Sequence, residues 1–267
     1  MALENPAFRS AAFNGNSSVA NAVSVQELQD IYNRPTAGAN DTDRMTVEDT
    51  VVKTAASFGV LVVGAVIGWA TASTMPAVWI IAGIIGFVLA LVNIFKKEPS
   101  PALILAYAAA QGIFVGAVSA AYEVQFQGIV MQAVLATLAV VGVTLALFAS
   151  GKIRASKKAT KIFLIAMVGY IVFSLLNLVL TMTGAVSNPW GLRGDDLFGT
   201  GIPIGLVLGV LVVIMAAYSL VLDFDFIQKG VQNRAPRKYG WSGAFGIMVT
   251  VIWLYLEILR MFAIARD

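Results

Sequence analysis

Cysteine and histidine are both absent from this chain of 267 residues. Without cysteine the protein can form no disulfide and has no thiolate nucleophile, and without either residue the usual zinc sites are excluded. The lack of histidine also removes the imidazole base of a Ser–His intramembrane hydrolase and the ligand of a His-bound redox metal. No other nucleophile–base set is visible, so we expect neither enzymatic activity nor a resident cofactor.

Charge is scarce as well. Only 12% of the residues are charged and 58% are hydrophobic, whereas an average soluble domain has about 25% charged residues. The mean hydropathy is +0.81, and apolar blocks long enough to cross a bilayer as helices recur along the chain. The composition therefore predicts an all-α polytopic membrane protein. Its seven spans are expected at about 51–74, 77–95, 102–122, 129–149, 161–183, 202–226 and 240–264.

The Lys and Arg residues of the predicted loops alternate. The segments "KKEPSP", "GKIRASKKATK" and "QKGVQNRAPRKYG" carry two, five and four of them. The alternate loops carry none, except Arg193 in "SNPWGLRGDD". The positive-inside rule places the amino terminus and the three basic loops in the cytoplasm. Because the basic residues cluster in these short loops between apolar blocks, the basic isoelectric point does not indicate nucleic-acid binding. Arg260 and Arg266 near the carboxyl end fit this topology less well, which leaves open a last helix that does not fully cross.

The first 45 residues are polar and lack the layout of a signal peptide. We predict a mobile cytoplasmic tail over 1–45 and a transmembrane domain over 46–267. Within the tail, "SVQELQDIY" has apolar residues at roughly helical spacing, which is compatible with a short docking helix or with a flexible tail. Three ionisable residues at the mouth of the first span, Glu48, Asp49 and Lys53, are expected in a solvated interface.

Two aspartates lie close together in the sixth span, in "SLVLDFDFIQKG". Residues two apart on a helix point about 200° away from each other, so Asp223 and Asp225 face different surroundings. Asp225 has Lys229 one turn later, which favours a local ion pair. Asp223 has no cation within one turn and must be protonated, hydrated or paired with another helix. Asp223 is therefore the stronger candidate for a functional site.

The seventh span contains Glu257, with Arg260 three residues later. The two side chains are compatible with a structural ion pair, but a glutamate at membrane depth also indicates a functional site. Two carboxylates brought together would titrate as a coupled pair, which could respond near neutral pH without histidine. Their oxygens would also suit Ca²⁺. We therefore predict Asp223 and Glu257 as proton-sensing groups and candidate Ca²⁺ ligands, with Asp225 and Arg260 in supporting roles.

Uncharged polar residues at depth are Asn93, Gln111 and Asn177. Interhelical hydrogen bonds are the usual role of such residues, and Gln111 and Asn177 are further candidates to support the site. Gly64 and Gly68 in the first span have the small-xxx-small spacing that permits close helix packing.

Three segments in this order on a seven-span frame resemble the Bax inhibitor-1 (transmembrane Bax inhibitor motif) family. They are "YAAAQGIFVGAVSAAYE" in span three, "AYSLVLDFDFIQ" in span six and "LYLEILRMF" in span seven. The polar start "NPAF" and the tail length are similar to the actinobacterial branch. The resemblance implies a bacterial plasma-membrane protein with a central last helix, and a pH-sensitive calcium leak in which acidic residues of helices six and seven pair. Asp223 matches the first acidic residue, and Glu257 stands where an aspartate is more usual.

The sequence departs from the family pattern in three places. Gln111 stands where a glutamate precedes the glycine, the second span has no cation before Lys96, and the stretch between Asp223 and Glu257 is longer than usual. Direct pairing of these carboxylates would require a broken, displaced or re-entrant last helix.

The leading hypothesis is a Ca²⁺-permeable leak channel in the lipid bilayer, gated by protonation of Asp223 and Glu257. One alternative is a regulatory membrane protein that binds a membrane protease or stress factor through tail 1–45 or loop 229–238. The other is a proton-coupled cation exchanger.

Overall fold

The structure, a computed structural model, describes residues 43–267 and, before them, only Gln29. Apart from Gln29, residues 1–42 of the predicted tail, with its candidate helix, thus lie outside the described residues. Residues 43–45 are described: Met45 is buried, and its backbone N–H donates to the Ala235 carbonyl at 2.8 Å. From residue 43 onward there are seven long helices and no β-strand, and each helix is long and apolar enough to cross a membrane. The predicted all-α, seven-span fold is confirmed. The helices are α1 Val47–Thr71, α2 Pro76–Phe95, α3 Pro101–Gln125, α4 Ile129–Ala149, α5 Lys157–Met182, α6 Ile204–Gln232 and α7 Gly240–Ile264.

Local capping residues set several of these boundaries. The side chain of Thr46 accepts a hydrogen bond from the Asp49 backbone N–H at 3.0 Å and begins α1. Ser156 does the same for α5, at 3.2 Å from the backbone nitrogen of Ala159. Gly128 before α4 has a φ of +77°, a left-handed conformation that favours glycine. These signals mark where α1, α5 and α4 begin.

Helices α1 and α3 pack with their backbones in close contact. A Cβ atom at Gly64 would lie 2.7 Å from the carbonyl oxygen of Ala109, and a Cβ at Gly68 would overlap the backbone of Ile113. On the facing side, a Cβ at Gly116 would overlap the backbone of Ala65. The predicted small-xxx-small contact therefore exists, with small residues on both helices.

The last helix is the centre of the bundle, as predicted. Thirteen of the 25 residues of α7 are buried, and it contacts α1, α3, α4 and α6. It is continuous, and its 25 residues rise about 37 Å, which exceeds the hydrocarbon thickness of a bilayer. In contrast, α5 has no buried residue and lies at the periphery.

Side-chain contacts define the two ends of the bundle. At the basic end, which carries the α2–α3, α4–α5 and α6–α7 loops, Lys238 pairs with Glu98 at 2.8 Å. At the far end, Arg266 at the close of α7 donates to the backbone oxygen of Gln127 in the α3–α4 loop at 3.0 Å. Trp190 of the α5–α6 loop donates to the Asp267 carboxylate, also at the far end, at 2.8 Å.

Candidate functional site

Asp223 lies on the face of α6 that packs against α7. Its carboxylate accepts a hydrogen bond from the Thr250 hydroxyl at 2.7 Å, and that hydroxyl is 3.2 Å from the hydroxyl of Ser219. Gly246 provides the space, because a Cβ there would lie 2.8 Å from the Asp223 Oδ1 atom. Within residues 43–267 no Lys or Arg forms an ion pair with this carboxylate. Asp223 is thus partnered by a hydroxyl of the neighbouring helix and not by a cation.

Asp225 has a different environment, as the helical spacing predicts. Its carboxylate pairs with the Lys229 ammonium at 2.6 Å, and the Lys229 side chain is 65% exposed. This confirms the predicted local ion pair. The two aspartates therefore do not form one acidic patch, and only Asp223 faces the central helix.

Glu257 is the charged centre of a separate cluster in the part of α7 nearer the far end. Its side chain is 4% exposed. Arg260 donates to its Oε1 atom at 2.7 Å, and Arg193 approaches its Oε2 atom at 3.4 Å. The Tyr170 hydroxyl of α5 also donates to Oε1. The predicted pair with Arg260 is present, but it is one part of a larger network in which two guanidinium groups compensate one carboxylate.

Arg193 is the charged residue of this cluster that the sequence did not identify as part of a site. A short 3₁₀ helix at Gly191–Arg193 in the α5–α6 loop directs its side chain inward, where only 5% of it is exposed. Its Nη2 atom donates to the Tyr170 hydroxyl at 3.0 Å and to the Ser174 hydroxyl at 3.1 Å. The guanidinium also lies over the Tyr170 and Phe173 rings. One feature of the sequence could have identified it: Arg193 is the one Lys or Arg in the three predicted loops that alternate with the basic loops.

Asn177 holds the backbone of this loop against α5. Its side-chain oxygen accepts from the Leu192 N–H at 2.7 Å, and its amide nitrogen donates to the Trp190 carbonyl at 3.2 Å. Gly191 between them has a φ of +63° and no space for a Cβ atom. Asn177 is therefore a positioning residue for Arg193 and does not bond to another spanning helix.

The other two amides at depth behave differently. Asn93 donates to the Leu103 carbonyl of α3 at 3.3 Å, so the predicted interhelical hydrogen bond is confirmed. Gln111 packs over Gly86 of α2, where an added Cβ would lie 2.7 Å from the Gln111 Nε2 atom. Gln111 contacts neither Asp223 nor Glu257 among the described hydrogen bonds and ion pairs.

The structure does not bring Asp223 and Glu257 together. Thr250, the partner of Asp223, precedes Glu257 by seven residues on a continuous helix, which is about 10 Å of rise. Each carboxylate has its own partners, and residues 43–267 contain no group of three or more Asp, Glu, His or Cys side chains able to hold a metal ion. The expectation of a joint Ca²⁺ or proton site is therefore not met in this conformation, because α7 is neither broken nor re-entrant.

The mouth of α1 also differs from expectation. Glu48 is exposed as predicted, but the side chains of Asp49 and Lys53 are each only 11% exposed and form an ion pair. Arg237 of the α6–α7 loop donates to Asp49 at 2.7 and 2.9 Å. The solvated-interface prediction is wrong for Asp49 and Lys53, because a distant loop covers them.

This loop is 229–238, the segment considered as a partner-binding surface. Three of its four cations are paired within the chain, Lys229 with Asp225, Arg237 with Asp49 and Lys238 with Glu98. It therefore presents less uncompensated charge than the sequence suggested.

The fold defines a multi-pass helical membrane protein with two carboxylates between its helices, Glu257 buried and Asp223 half-buried. A family model described as "Bax inhibitor 1 like" matches residues 5–267 of the chain. This match covers nearly the whole sequence, so the chain belongs to the Bax inhibitor-1-like family. No curated protein matches the chain significantly.

Proposed function

We propose that this protein is a proton-gated leak for Ca²⁺ across a bacterial plasma membrane, with its amino terminus in the cytoplasm, and that it is not an enzyme. Two lines support this function. The family resemblance implies a pH-sensitive calcium leak, and Asp223 lies at the interface between α6 and α7 with no cation paired to it within residues 43–267. The position of Asp223 is the observation that carries the proposal.

In this mechanism the two carboxylates have different roles. Glu257 already lies between Arg193 and Arg260, so its charge is compensated and it ties α7 to the far-end loop. Within residues 43–267 the side chain that hydrogen-bonds to Asp223 is Thr250, whose hydroxyl also lies 3.2 Å from that of Ser219, and hydroxyls cannot compensate an anionic charge as a guanidinium does. Protonation of Asp223 therefore removes an uncompensated charge from the α6–α7 interface, whereas protonation of Glu257 would leave two guanidinium groups without their carboxylate.

The neutral form of Asp223 favours the closed bundle, because a protonated carboxyl fits the small space beside Gly246 without a counter-ion. The ionised form requires water or a cation, which favours separation of α6 from α7 and attracts Ca²⁺. Cation flux should therefore rise with pH as Asp223 loses its proton.

The test is Ca²⁺ flux into proteoliposomes between pH 6 and pH 8. We expect wild-type flux to rise across this range, and Asp223→Asn to give a low flux without pH dependence. Asp225→Asn is the matched control, since it removes the same charge two residues away, where Lys229 already compensates it. The control should keep the wild-type pH profile.

Three outcomes would overturn the proposal. If wild-type protein gives no flux above that of empty vesicles, it is not a leak. If Asp223→Asn keeps the wild-type pH profile, Asp223 does not gate the flux. A fixed ratio of protons to Ca²⁺ would instead indicate a coupled exchanger.

A further inference from the structure

A cavity of about 560 Å³ lies between the start of α5 and the end of α6, at the basic end of the bundle. The hydroxyl of Tyr218 on α6 bonds to two residues of the cavity wall, Ser156 and Thr160. It lies 2.9 Å from the Thr160 hydroxyl and accepts from the backbone N–H of Ser156 at 3.3 Å. No residue of α5 is buried, so apart from this hydrogen-bonded contact the two helices leave a crevice between them.

The rim of the crevice is basic. Lys157 and Lys161 are one turn apart on α5, and Lys229 faces them from α6. Asp225 is the one carboxylate of the lining, and it is already paired with Lys229 at 2.6 Å. Lys157 and Lys161 form no ion pair within residues 43–267. The rim therefore has uncompensated positive charge.

The inner wall of the crevice is apolar. Leu164 and Ile165 of α5 line it together with Leu222 of α6. Leu164 is 54% exposed and Ile165 is 64% exposed, so both can contact lipid from this membrane-spanning helix. Leu164 follows Lys157 by seven residues, which places it about 10 Å deeper along α5. The site thus combines a cationic rim with an apolar wall below it.

We propose that this crevice binds one anionic glycerophospholipid. The phosphate of the headgroup would lie between Lys157 and Lys161, and an acyl chain would lie along Leu164, Ile165 and Leu222. A soluble anion would use the rim but gain nothing from the wall, and a zwitterionic lipid would bring its own cation to a rim that is already basic. A basic pocket between helices at a membrane interface is a common type of lipid site. This site is separate from Asp223 and does not depend on the proposed leak.

The experiment is native mass spectrometry of the purified full-length protein, titrated with phosphatidylglycerol or phosphatidylcholine. We expect one phosphatidylglycerol to bind more tightly than phosphatidylcholine. Lys157→Gln with Lys161→Gln should weaken phosphatidylglycerol binding by about 25-fold, from roughly fivefold for each lysine near a membrane surface. The matched control is Lys96→Gln with Lys97→Gln, an exposed basic pair of the α2–α3 loop at the same end. It should change the binding by less than about twofold.

Each alternative result would overturn the proposal. Equal losses in both double variants would mean general attraction of lipid to a basic surface. Equal affinity for the two lipids would mean that the lysines select no headgroup. Displacement of the bound lipid by millimolar inorganic phosphate would mean a simple anion site without a role for the apolar wall.

Discussion

Replacement of Arg193 by methionine tests whether the far-end loop is tied to the central helix through charge. Methionine keeps most of the length of the side chain but removes the guanidinium. The variant loses the contact to Glu257 at 3.4 Å and the hydrogen bonds to Tyr170 and Ser174 at 3.0 and 3.1 Å. Tyr170 keeps its hydrogen bond to Glu257, and Glu257 keeps Arg260, but each of these buried or half-buried groups loses one partner that water cannot easily replace.

The expected loss of stability in Arg193→Met depends on the contacts of Glu257 that the substitution leaves intact. Removing one partner of a buried ion pair costs about 3–5 kcal/mol when the other charge is left unpaired. Here Arg260 still pairs with Glu257 at 2.7 Å, so the charge remains partly compensated. We therefore expect Arg193→Met to lower the free energy of unfolding by about 2–3 kcal/mol. Arg193→Lys should lie between this variant and wild type, because lysine keeps the charge but lacks the planar donor geometry.

The assay is equilibrium unfolding in mixed micelles, followed by the fluorescence of the five tryptophans. A double-mutant cycle with Glu257→Gln separates the pairwise interaction from a general packing effect. We expect a coupling energy of at least about 1 kcal/mol between Arg193 and Glu257. The reasoning is refuted if the two single effects add to within about 0.5 kcal/mol, or if Arg193→Met unfolds like wild type.

Two further predictions concern packing and the surface. Gly116→Ala should lower the free energy of unfolding by about 1–3 kcal/mol, because the added methyl group meets the backbone of α1. Gly59→Ala is the control: its methyl group has open space, so the variant should be neutral or slightly stabilising. Equal effects of the two substitutions would contradict the close packing of α1 and α3. The pKa of Glu98 is lowered by its hydrogen bond and Coulomb attraction to Lys238. Its small contribution to stability should therefore be present above the unfolded value of 4.5 and be lost as pH falls through the folded pKa. The thermal unfolding temperatures of Glu98→Gln and wild type should differ at pH 6 and become equal in acid and in high salt. A difference that persists in acid would exclude the Glu98–Lys238 ion pair as its cause.

The parts of the fold that the sequence predicted are those encoded by neighbouring residues. Each spanning helix is one long apolar run, so its existence and approximate bounds follow from a single window of sequence. The Asp225–Lys229 and Glu257–Arg260 pairs lie within one helical turn and were predicted for the same reason.

The contacts that the sequence did not predict join residues far apart in the chain. Arg193 meets Glu257 across 64 positions, and Thr250 meets Asp223 across 27. The ion pair of Asp49 with Arg237 joins the start of the first helix to the last loop. No local periodicity specifies which loop folds inward or which hydroxyl faces which carboxylate.

The sequence by itself thus indicated that the chain has seven helices long and apolar enough to cross a membrane, and that Asp223 has no cation within one turn of its own helix. Only the tertiary structure decided which side chains surround Glu257 and Asp223. Packing on a continuous α7 gives Glu257 two arginines and gives Asp223 a threonine. The physical reason is that hydropathy acts along the chain, whereas the compensation of a buried charge depends on which distant side chains the packed helices bring within hydrogen-bonding distance.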